Sequence, residues 1–133
     1  MSFGLTIRFS SSSFRPCKRD QELANADMMY GYTLARFIAD GLPAYGFIVD
    51  DLIAEDWGWY CEVENEGYTL GYGCVGSDWS GDFAVWTMPN TPEIRVRHET
   101  IDVSERVETL GNTIFAIIAN SGKAQKGPAW SNR

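Results

Sequence analysis

Two runs of strict alternation with opposite parity constrain this chain more than anything else in it. From Trp57 to Glu64 the odd positions hold Trp57, Trp59, Cys61 and Val63, and the even ones hold Gly58, Tyr60, Glu62 and Glu64. From Tyr68 to Val75 the bulky residues Tyr68, Leu70, Tyr72 and Cys74 fall on even positions, opposite Thr69, Gly71 and Gly73. A period of two marks strands, whose successive side chains point to opposite faces of a sheet. For both bulky sets to share a face of one antiparallel hairpin, odd residues must sit opposite even ones, and the loop must hold an even number of residues. A two-residue turn at Glu66-Gly67 or a four-residue loop satisfies this; a three-residue loop would set the tryptophans against Gly71 and Gly73. The even loop predicts an apolar face of Trp57, Trp59, Cys61, Val63, Leu70 and Tyr72 under helices, with Tyr60, Glu62 and Glu64 turned outward. One even register also sets Cys61 directly across from Cys74, close enough to cross-link in an oxidising compartment.

Other segments extend this hairpin into a sheet. Phe3, Leu5, Ile7 and Phe9 alternate with small or polar residues, which predicts a first strand. After the serine run and Pro16, Tyr30, Leu34, Phe37 and Ile38 share a helical face, in a helix predicted to start between Asp20 and Asp27. That helix is expected to end at Gly41, which can adopt the left-handed C′ conformation ahead of Pro43. Phe47–Ala54 reads as a strand interrupted at Asp50-Asp51. Asp82–Met88, apolar on both faces, reads as a central strand, and Ile94, Val96 and His98 alternate as a half-exposed edge strand after Pro92. Asp102 to Glu105 resembles a capping box, and Val103, Val107, Leu110, Ile114, Ile117 and Ile118 form one helical stripe. Gly31 and Gly111, placed inside the two helices, suggest points of close backbone approach. The expectation is a two-layer α+β fold in the order β-α-β-β-β-β-β-α, a mostly antiparallel sheet of five or six strands with both helices on one face.

At 133 residues the chain has room for one core. Residues 1–122 are expected to form that domain, with 123–133 a flexible basic tail in which Trp130 would act as an anchor if the tail is held. No apolar run approaches the ~20 residues of a membrane span, and the N-terminal alternation lacks a secretory core, so no membrane association and a cytoplasmic location are expected. Three cysteines, an odd number without a C-x-x-C pair, predict reduced thiols and no zinc cage.

Charge is distributed unevenly. The net charge is −7, yet the 58 residues from Phe37 to Ile94 contain no Lys or Arg and carry 11 of the 18 acids and four of the five tryptophans. Such a balance disfavours nucleic acid, whose phosphates reward basic residues. Catalytic signatures are sparse. With a single histidine, His98, any Ser/His or Cys/His pair depends on it, and no nucleophile elbow is present. Glu62 and Glu64, on one strand face about 7 Å apart, have the spacing of a carboxylate pair but also that of an ordinary solvated face. Asp50, Asp51, Glu55 and Asp56 offer oxygen ligands without the spacing of a calcium loop. The glycines near Gly71 and Gly73 precede no phosphate-binding helix. No catalytic residue, metal site or cofactor is therefore assigned.

The sequence favours a non-catalytic binding protein whose acidic sheet face engages a cationic protein, through Glu55, Asp56, Tyr60, Glu62, Glu64, Asp78 and Trp79. An immunity- or antitoxin-like role is the analogy, and self-association of basic ends with the acidic middle, as in a homodimer, is the other partner expectation. The alternative is a small-molecule-binding module or small hydrolase with a tryptophan and carboxylate pocket around Trp57, Trp59, Asp78 and Trp79. A third reading gives the acids no partner and lets them keep the protein soluble.

Overall fold

A computed structural model describes residues 3–18, 20, 30–76 and 81–132. Strand β1 (Thr6–Ser10) is followed by helix α1 (Tyr32–Gly41), a 3-10 turn (Leu42–Tyr45), and strands β2 (Val49–Glu55), β3 (Gly58–Val63), β4 (Leu70–Gly76) and β5 (Asp82–Met88). A short ribbon of β6 (Glu93–Val96) and β7 (Glu99–Asp102), helix α2 (Ser104–Asn120) and strand β8 (Lys126–Ser131) complete the chain. Six strands form one antiparallel sheet in the order β2-β3-β4-β5-β1-β8, with both helices packed on it. The fold is the expected two-layer α+β arrangement.

Parity sets the register of the central hairpin. Val63 pairs with Leu70, Cys61 with Tyr72 and Trp59 with Cys74, so odd residues face even ones across a six-residue connection. That register is the one a turn centred on Glu66-Gly67 requires, and Asn65 donates to the Glu66 and Tyr68 carbonyls within it. Cys61 and Cys74 are consequently staggered by one pair rather than directly opposed, and all three cysteines are free thiols. Trp59, Cys61, Leu70, Tyr72, Cys74 and Val85 are fully buried beneath the helices. Leu34 and Ile38 of α1, and Val107, Leu110, Ile114 and Ile118 of α2, close the core from the other side. As expected for a strand covered on both faces, β5 lies inside the sheet, between β4 and β1.

Several local expectations change. Tyr30 lies ahead of α1 in a bridge to Gly76, and Gly31 precedes the helix at φ 150, its backbone against Cys74, so Gly31 marks an approach of helix and sheet rather than of two helices. Gly41 stays right-handed; the chain makes one further 3-10 turn and Gly46 takes the left-handed position at φ 87. The Asp50-Asp51 interruption is a β-bulge, because Val49 pairs with Val63 while Asp51 already pairs with Glu62. The strand after Pro92 ends at Val96, since Arg97 and His98 both take positive φ in a tight turn to β7, and this ribbon stands apart from the main sheet. The C-terminal residues are held as well: β8 pairs with β1, and Trp130 stacks on Phe115 of α2 at 5.4 Å between ring centroids. Asp102 accepts hydrogen bonds from the backbone N–H and hydroxyl of Ser104 at the start of α2, which holds its carboxyl below the usual range.

Candidate functional site: the outer face of the sheet

Gly58 decides which tryptophan meets solvent. Its φ of 151 is open only to glycine, and a Cβ there would lie 2.6 Å from the Cys74 carbonyl oxygen. The alternation therefore breaks between Trp57 and Trp59. Trp59 enters the core fully buried, whereas Trp57, expected beside it, lies in the β2–β3 turn with its ring tilted against Trp86 at 5.2 Å. Trp86 belongs to the outer face, because it pairs with Gly73 while the neighbouring Val85 points into the core.

The two β4 glycines form the floor of this face. A Cβ on Gly73 would come within 2.5 Å of the Trp86 indole, and one on Gly71 within 2.7 Å of the Tyr60 ring and hydroxyl. Both rings therefore lie close over the backbone of β4, a packing that a side chain at either position would displace. Burial, then the negative charge of neighbouring Glu62, pushes the Tyr60 hydroxyl above its usual range. Beside these rings runs an open groove of about 720 Å³ lined by Glu55, Trp57, Tyr60, Tyr68, Ile94 and Val96, among others. The apolar positions of β6 thus line the outer face, opposite the β3 aromatics.

Carboxylates crowd the β2 edge next to the groove. Asp51 and Glu62 are register partners on the outer face, and Glu64, just past β3, is hydrogen-bonded to Asp50 at the bulge. That hydrogen bond, and then the Asp50 charge, raises the Glu64 carboxyl above its usual range. Among the described residues no basic side chain forms an ion pair with these four acids. Glu55 lines the groove and Asp56 is exposed in the turn beside it. Of the residues expected at a binding site, Glu55 and Tyr60 line the groove, Asp56 follows Glu55 in the turn, Glu62 is the next outward residue after Tyr60 on β3, Glu64 is turned to Asp50, and Asp78 and Trp79 lie outside the described residues.

Asp20 is the polar group that sequence reasoning missed. It is 1% exposed, and its carboxylate accepts from the backbone N–H groups of Cys17, Gly31 and Tyr32, the Cys17 thiol and the Trp59 indole at 3.0 Å. An acid before the first helix was visible, but its partners lie up to 39 residues away. With its oxygens engaged, Asp20 secures the start of α1 and the Trp59 ring. Trp59 is accordingly no part of a pocket. The core thiols are also unsuited to chemistry: burial pushes Cys61 up to about 12 and Cys74 well above its usual value. His98 sits exposed in the β6–β7 turn. A smaller cavity of about 150 Å³ is lined by Ser11, Phe14, Arg15 and Tyr30 among others.

Among the described residues no three His, Cys, Asp or Glu side chains gather as metal ligands, and no helix is long and apolar enough to cross a membrane. Comparison with protein-family models, curated proteins and solved structures gives no match.

Proposed function

We propose that this protein is a non-catalytic binding module that takes a cationic protein partner on the acidic, aromatic outer face of its sheet. The observation that carries this reading is the set of acids without a basic ion-pair partner at the β2 edge, Asp51 opposite Glu62 and, beside them, Asp50 next to Glu64, whose repulsion is eased only when the pair shares a proton. Like charges directly opposite one another weaken a sheet. A surface tuned for solubility alone has no reason to concentrate that cost at one edge beside an aromatic groove. A cationic partner relieves the repulsion on binding and is steered there by the same charges. The aromatic rings supply the contact area that charge alone lacks.

The test is recovery of partners from the source cell on the immobilised protein, with elution by a salt step from about 0.05 M to about 0.5 M, which shortens the screening length several-fold. The expected result is a basic protein that elutes in the step and is not retained by a Glu62→Lys, Asp51→Lys variant. A partner held through the salt step by both proteins would overturn the reading, and so would retention of a second copy of this chain alone.

A further inference from the structure

We propose that the groove between β3 and β6 receives an extended segment of the partner and seats an arginine side chain of that segment against Trp57 and Tyr60, with its guanidinium toward Glu55. This deepens the binding reading above and rests on it.

The groove lies beside β3, from Glu55 and Trp57 at one end of the strand to Tyr68 beyond the other. A six-residue strand spans about 20 Å, the length of five or six extended residues. The volume of about 720 Å³ falls within the range of sites that enclose a compact ligand, yet the groove is open along its length, which suits a chain better than a small molecule. Its apolar walls, Ile94 and Val96 on one side and the aromatic rings on the other, would cover alternate side chains of such a segment.

Charge complementarity selects the anchor. The residues named as lining the groove include an acid, Glu55, and no base, and Glu62 lies close enough to Tyr60 to shift its titration; both acids fall in the 58-residue stretch that holds no Lys or Arg. The nearest base along β6, Arg95, is turned to the carbonyl of His98 in its own turn. Arginine suits the site better than lysine because its planar, weakly hydrated guanidinium stacks on rings while its fork meets a carboxylate. The fold already contains such an arrangement: the Arg106 guanidinium lies 4.4 Å over the Phe47 ring while its Nε donates to Asn65 Oδ1.

The probe is a capped pentapeptide with arginine at its centre and threonines around it, compared with the same peptide carrying uncharged citrulline. Binding is followed by amide and indole NMR shifts on the intact protein. Expected are shifts centred on Trp57, Tyr60, Gly71, Gly73 and Ile94, about fivefold or more weaker binding by the citrulline peptide, and a comparable loss in Trp57→Ala. Glu55→Gln, which leaves the packing untouched, should weaken the arginine peptide and leave the citrulline peptide unchanged. Equal binding of the two peptides overturns the arginine anchor. Salt-sensitive binding that shifts only the Asp51 and Glu62 rows, and that Trp57→Ala does not alter, overturns the groove while leaving the acidic face standing. Absence of binding at low salt overturns both.

Discussion

Trp57 and Trp59 stand two residues apart in a segment that alternates as a strand, and they end on opposite faces of the sheet. On the helix side, Trp59 is fully buried and its indole is bonded to Asp20, itself held by several donors. On the outer side, Trp57 is half-buried against Trp86, whose ring in turn covers Gly73, and the same face carries the opposed acids Asp51 and Glu62 further along the hairpin. The inner face satisfies its polar groups internally. The outer face leaves charge uncompensated, which the proposed cationic partner would relieve.

The largest effect should come from the tryptophans themselves. Trp59→Ala is expected to cost about 3–5 kcal/mol in urea unfolding, by loss of a buried ring and its cavity, whereas Trp57→Ala should cost about 1 kcal/mol or less. Equal losses would erase the distinction between the faces. Next in size is Asp20→Ala, which strips the acceptor from buried N–H groups at the start of α1 and should destabilise by roughly 3 kcal/mol; a thermal midpoint like that of the parent would show that these donors find other acceptors.

Smaller changes sharpen the outer side. Glu62→Gln removes one member of an opposed carboxylate pair, so stability should rise by about 0.2–1 kcal/mol while retention of a cationic partner falls. A loss of stability instead would mean that Glu62 is already compensated. The smallest effect concerns Glu64, whose folded-state titration is raised by Asp50. A carboxyl raised on folding binds its proton more tightly in the native state. Its contribution is therefore present below the usual glutamate range and lost as pH rises through the raised value. Glu64→Gln should flatten the stability profile just above pH 4.5, the ordinary glutamate value, and leave it unchanged well below. An unaltered profile would count against the Asp50 bond.

Much of the fold was legible because it rests on local periodicity. The parity of two strands set the hairpin register, and the stripe from Val103 to Ile118 set α2. The candidate site was legible only in part. Tyr60, Glu62 and the acidity of the edge followed from alternation, but Trp57 changed faces through the backbone angle of Gly58, and nothing in the residue pattern distinguishes that glycine from one that leaves a strand straight. Asp20 gathers donors that are distant in sequence, which no local pattern records. The Arg97-His98 turn uses positive φ without the Asn or Gly that usually signals it. The last strand was not legible, since Gly127 and Pro128 interrupt any strand pattern there; Pro at the outermost strand of a sheet is tolerated where no neighbour requires its N–H.

That last strand bears on the order of events in folding. β1 precedes both of its sheet partners by a long stretch of chain, β5 lying some 75 residues later and β8 about 120 residues later. During synthesis the meander from β2 to β5 can assemble as it emerges, while Ile7 and Phe9 wait for both of their neighbours. Such long-range closure slows folding relative to local pairing. Deleting residues 126–131 should leave one edge of β1 open for pairing with another chain, and aggregation on refolding would then rise with protein concentration.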